Sequence, residues 1–133
     1  MEVAAAKLVK IEFFRRREAT WVDPVIASLS ALAQLPENWD GRGSRAINYD
    51  DVVDAVEYLQ RVMRDDTRAP SIGPLNSGGL ELSWLVDGLE VEAVFDRQRN
   101  DRMLLVTAGA NESEEPIESS ELLFAGIVDR LAS

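Results

Sequence analysis

The chain has 133 residues, 46% of them hydrophobic, a size and an apolar share that suffice for one domain with its own core. It contains no cysteine, which excludes a disulfide framework, thiolate catalysis and cysteine-held zinc. It also contains no histidine, so the commonest general base near neutral pH and the commonest transition-metal ligand are both missing, and its net charge is −10.

That charge is unevenly spread. Residues 1–17 carry Lys7, Lys10, Arg15, Arg16 and Arg17 against Glu2 and Glu12, a basic arm that leaves −13 for the remainder. Within the arm, Val9, Ile11 and Phe13 alternate with Lys10 and Glu12, a period of two that predicts an added strand, while Ala4 to Lys7 suits a helix equally well. Phe13-Phe14 before Arg15-Arg16-Arg17 joins aromatic rings to charge as single-strand binders do, but the acidic body repels phosphates, so nucleic acid is not the expected partner. No apolar run approaches the roughly 18 residues of a membrane span, and charges interrupt the region where a signal peptide must be apolar. The expectation is a cytoplasmic protein without a membrane segment.

Asp23-Pro24 predicts a helix start, with Asp23 as cap and Val25, Leu29 and Leu32 on one face; the helix ends by Pro36. Asn48 is placed to cap a second helix running to about Asp65. Asp50 and Asp51 occupy its first turn, where the helix dipole favours negative charge, and Val52, Val56, Leu59 and Met63 form its apolar stripe. Residues 69–79, APSIGPLNSGG, read as a loop or extended connection.

LELSWLV and LEVEAVF then flank Asp87-Gly88, the strongest short-range hairpin signal, because both turn positions need positive φ. A two-residue turn sets Val86 opposite Leu89, Trp84 opposite Val91, Leu82 opposite Ala93 and Leu80 opposite Phe95, which puts eight apolar side chains on one face. A slip of one residue would turn Glu90 and Glu92 inward, so the register is strongly specified. Residues 102–108, RMLLVTA, predict a third strand. The glutamate-rich segment 110–118 reads as an acidic loop, and Ser119 or Ser120 can cap a last helix with Leu123, Ile127 and Leu131 as its stripe. The predicted architecture is one α+β domain over 1–133, with an antiparallel meander of three or four strands and about three helices packed on one face.

Gly41-Arg42-Gly43-Ser44-Arg45-Ala46 matches a dinucleotide fingerprint, but it follows a helix instead of a strand, and no P-loop occurs, so no cofactor is predicted. Glu90 and Glu92 project from one face of a strand, with Glu81 on the partner strand beside them. They are read as the wet face of a half-covered sheet, as an acidic docking face, or as ligands of a hard cation in a metal-assisted enzyme. With no histidine, and with both lysines confined to the arm, no serine has a base to activate it, so no catalytic residue is predicted.

The connection from Leu35 to Ile47 is long enough to be functional or tied down by its own side chains. Trp39 either anchors it, with Asp40 accepting from following amides, or presents an exposed contact beside Arg42 and Arg45. LPENWDGRGSRAI, a helix, a proline-containing connection and GGLELSW…LEVEAVF together resemble a group of small bacterial proteins carrying a Leu-Pro-x-x-Trp-Asp-Gly segment and a Gly-Gly/Glu-Trp hairpin. The likeness covers about residues 32–96 and departs at Ser44-Arg45-Ala46, where the group shows prolines. It implies an antitoxin-like or mobile-element accessory protein and carries over no catalytic residue.

The expected function is therefore non-enzymatic: binding of a protein with a basic surface through Trp39, Asp40, Arg42, Arg45, Glu81, Glu90 and Glu92. A phage-derived acidic inhibitor of a nucleic-acid-binding protein is the alternative, and a carboxylate-dependent metal enzyme a second one. An open edge strand also makes a homodimer an expectation.

Overall fold

A computed structural model describes residues 19–133; the basic arm and its expected strand lie outside the described residues. In chain order the elements are α1 (Val22–Ala33), α2 (Tyr49–Val62), β1 (Ser71–Pro74), β2 (Leu80–Val86), β3 (Leu89–Asp96), β4 (Asp101–Ala108), β5 (Asn111–Pro116) and α3 (Glu121–Ala125). Short 3-10 turns, Ile117–Ser119 and Val128–Leu131, flank α3. Among the described residues no helix is long and apolar enough to cross a membrane.

The five strands form one antiparallel sheet in the order β1-β2-β3-β4-β5. The hairpin register is the predicted one, Leu80 opposite Phe95 through Val86 opposite Leu89, with positive φ at Asp87 and Gly88. Its inward side chains Leu80, Leu82, Trp84, Leu89, Val91, Ala93 and Phe95 are buried and form one core cluster with α1, α2 and α3. Rings meet edge-on there: Tyr58 lies 5.7 Å from Phe95 and 6.1 Å from Phe124, and Trp84 lies 5.5 Å from Phe124. Two buried indoles also reach backbone carbonyls, Trp21 donating to Arg64 O at 2.9 Å and Trp84 to Arg68 O at 2.7 Å.

Four sequence expectations are corrected. Among the described residues the sheet has five strands, where three or four were expected. The segment 110–118 is not a loop, because Asn111–Pro116 pairs along β4 from Ala108↔Asn111 to Met103↔Pro116. Every β5 residue is exposed, so the strand exists by backbone pairing with β4 and carries no apolar signal of its own. β1 likewise hides within the proline- and glycine-rich connection, its terminal Pro74 tolerated because the strand lies at an edge of the described sheet.

The helix boundaries are the remaining corrections. The start of α1 is set by fully buried Trp21 at the N-cap position, with no side-chain cap; Asp23 falls in the first turn, where the dipole still favours it. The last helix is short and breaks at Gly126, and Ser120, at its N-cap position, turns its hydroxyl to Tyr58 at 2.8 Å and Ile117 O at 3.0 Å without capping it. Asn48 does cap α2, accepting from the Asp50 amide at 2.8 Å.

Candidate functional site

The loop between α1 and α2 is a closed ring built from its own polar groups. Asn38 takes φ of 61°, donates its amide to Ser44 O at 2.6 Å and accepts from the Gly43 amide at 2.6 Å. Asp40 accepts from the Arg42 amide at 2.9 Å, the Ser44 amide at 3.2 Å and the Ser44 hydroxyl. The Ser44 hydroxyl first, and then the Arg42 amide, hold the Asp40 carboxyl below its ordinary value. Trp39 closes the ring by donating from Nε1 to Arg45 O at 3.0 Å, while its half-buried indole stays outside the core cluster. Arg42 and Arg45 are exposed, and Arg45 lies 3.8 Å from Glu37 in a surface pair of little energetic weight.

This ring is pinned to the start of β2. The Arg45 amide donates to Asn76 O at 2.9 Å and the Asn48 amide to Gly78 O at 2.7 Å. The two glycines there admit the close approach: a Cβ on Gly78 would stand 2.9 Å from Ala46 O, and one on Gly79 2.6 Å from Phe95 O.

At the same end of the sheet lies a junction of three aspartates. Asp51 and Asp96 are each 1% exposed, and Asp54 is nearly covered. Arg97 grips Asp54 through Nε at 2.9 Å and Nη2 at 3.0 Å, and its amide donates to Asp51 Oδ1 at 3.1 Å. Arg102 lies 3.6 Å from Asp54 and 3.2 Å from Glu118, while Asp96 accepts from the Ser77 hydroxyl at 2.5 Å and the Arg99 amide at 3.2 Å. Asp51 Oδ2 and Arg102 Nε are buried there with no hydrogen-bond partner among the described residues. Burial raises the Asp51 carboxyl from 3.8 to about 6; the Arg97 amide opposes this, and the nearby Asp96 and Asp54 add to it.

The outward sheet face is different in kind. Residues directly opposite one another share a face, so the pairings Ser83↔Glu92↔Leu105↔Glu114 and Leu85↔Glu90↔Thr107↔Glu112 lie in two adjacent rows. A third row runs Glu81↔Val94↔Met103↔Pro116. Glu81, Glu90, Glu92, Glu112 and Glu114 thus share this face, no basic residue of β2 to β5 points there, and Leu85 is 73% exposed. Leu105 and Thr107 form a central row with a shallow depression on each side, one shared with Glu90 and Glu92 and the other with Glu112 and Glu114. Among the described residues none of these glutamates has an ion-pair partner.

The seven residues singled out from sequence therefore fall into two places. Trp39, Asp40, Arg42 and Arg45 sit in the ring at one end, Glu81, Glu90 and Glu92 sit on the outer face, and no hydrogen bond or ion pair among the described residues joins the two. Glu112 and Glu114 escaped the sequence reading because their segment has no apolar alternation; the only signal was their spacing of two. Among the described residues no group of three or more acidic side chains is placed to hold a metal ion. Compared with protein-family models, curated proteins and solved structures, the chain matches none. The resemblance carried by the Trp39 loop and the hairpin stands on those residues alone.

Proposed function

We propose that this protein acts by binding another protein with a basic surface, through the outward face of its sheet, and not by catalysis. The observation that supports this is the uncompensated set of five glutamates interleaved with Leu85, Val94, Met103 and Leu105 on a sheet face that no described element covers. Opposite charge on a partner speeds encounter, and the apolar side chains between the carboxylates supply area that burial makes favourable. An antitoxin-like or immunity-like neutraliser of a basic protein is one concrete form of this reading. The Trp39 ring serves it less directly, since Trp39 and Asp40 spend their polar groups on closing the loop.

An inhibitor that imitates nucleic-acid phosphates needs a continuous carboxylate stripe; here four of the five glutamates form two short columns split by Leu105 and Thr107, and Glu81 stands apart on β2. A protein surface suits that pattern better. The test compares wild type with the E90K/E92K double variant as bait in lysate of the source cells, at about 50 mM and about 500 mM salt. A partner held by wild type at low salt, and lost both at high salt and in the variant, supports the proposal. A partner held equally by both baits sinks it.

A further inference from the structure

Resting on the reading above, we infer that the outer-face groove over β4 is shaped for one cationic amphipathic α-helix of the partner protein, lying along β4 with its apolar stripe on Leu105 and Thr107. The groove has three parallel tracks. Leu105 and Thr107 are the floor track, and the wall tracks, Glu90 and Glu92 on β3 and Glu112 and Glu114 on β5, stand across a separate shallow depression on each side of it.

Neighbouring strands lie about 4.8 Å apart, which sets the two glutamate columns about 10 Å from each other, the diameter of an α-helix with its side chains. Within each column the glutamates are two residues apart, about 6.7 Å, and a helix repeats at i and i+4 every 6 Å or so. Lysines or arginines at i and i+4 on each flank of a helix therefore meet one glutamate apiece, while the stripe between them covers the floor. An added β-strand cannot do this. Its alternate side chains lie in a single line, so it can satisfy one column or the floor, but not all three tracks at once.

The groove is also accessible in charge: the basic residues nearest in sequence to it, Arg97, Arg99 and Arg102, are taken up by Asp54, Asp96 and Asn76 or by Glu118 at the sheet end. A cationic helix thus meets carboxylates with no described cation to displace.

The experiment uses the full chain and two synthetic peptides of one composition, followed by fluorescence anisotropy at low salt. One peptide places leucine at the a and d positions of a helical repeat, with lysine and arginine at b and e on one flank and at c and g on the other, so that each flank carries cations at i and i+4; the other scrambles that order. The ordered peptide is expected to bind at least about tenfold more tightly than the scrambled one, and E92K/E114K to lose at least about tenfold of that affinity, with an unchanged urea unfolding curve. Leu105→Ser should weaken binding several-fold while leaving its salt dependence intact, separating floor from walls. Equal binding of the two peptides, both weakened by E92K/E114K, overturns the helix groove and leaves the acidic-face reading standing. If neither peptide binds, the groove proposal falls, and the lysate comparison with E90K/E92K decides the broader reading separately. A concentration-dependent dimer that E92K/E114K disperses, with neither peptide bound, assigns the face to a second copy and also overturns it.

Discussion

Two acidic regions of this molecule are made of the same kind of side chain and have opposite consequences. At the sheet end, Asp51, Asp54 and Asp96 are covered, and hydroxyl, amide and guanidinium donors from Ser77, Arg97, Arg99 and Arg102 surround them. On the outer face, Glu90, Glu92, Glu112 and Glu114 stand beside half-buried Leu105 and Thr107 with no described cation near them. The first set has its charge consumed by the fold. The second keeps its charge available to another molecule, and only the second is a candidate for recognition.

The contrast is sharpest where a buried donor set can be left without its acceptor. Asp96→Ala strips the Ser77 hydroxyl and the Arg99 amide of their shared partner, and urea unfolding should show a loss of about 3 kcal/mol. A loss under 1 kcal/mol would mean that solvent replaces the carboxylate and that the junction is less closed than its burial indicates.

Asp51→Asn should act in the other direction, and only in part of the pH range. A carboxyl whose folded pKa is raised, here from 3.8 to about 6, favours folding when protonated, below about pH 4, and that advantage disappears as the pH rises through about 6. Above that range wild type holds an ionised carboxylate whose Oδ2 is unpartnered, while asparagine holds no charge and still accepts from the Arg97 amide. The variant is therefore expected to be more stable by about 1 to 3 kcal/mol at pH 8 and nearly equal to wild type at pH 4. A gain independent of pH would show that the carboxyl does not titrate there.

The Trp39 ring borders the junction and should be intermediate. Trp39→Ala removes one hydrogen bond and a half-buried ring outside the core, so thermal unfolding should register a loss of about 1 kcal/mol, against about 3 to 5 kcal/mol for the wholly buried Trp21→Ala. The smallest effect belongs to the outer face: E92Q/E114Q should change stability by no more than about 0.5 kcal/mol while weakening any basic partner. A large stability change there would make those glutamates part of the fold and remove the basis of the proposed function.

Much of this was legible in the sequence where local chemistry and packing agree. Asp87-Gly88 with its alternating flanks fixed the hairpin to the residue, and Asn48 with its stripe fixed the start of α2. What escaped was structure imposed from outside the segment. β5 has no inward apolar residue and is a strand because β4 offers it a ladder; β1 is interrupted by glycine and proline and pairs because β2 lies beside it. The same blindness hid half of the groove, since Glu112 and Glu114 acquire a common side only once their backbone is paired. Asp51 was read as a residue of the first helical turn, which it is, but the amide of Arg97, 46 positions away, could not be inferred from that turn.

β5 also bears on what this protein does when it is crowded. A sheet that ended on β4 would expose a long ladder of backbone donors and acceptors beside Leu104, Val106 and their neighbours, a template for amyloid-like stacking. An edge strand of the described sheet carrying Glu112, Glu114 and Glu115 and finishing in Pro116 repels its own copies at close range and withholds an amide where growth would continue. Replacing those three glutamates with valine would turn a solubility guard into a nucleus for precipitation, with little change in the isolated fold.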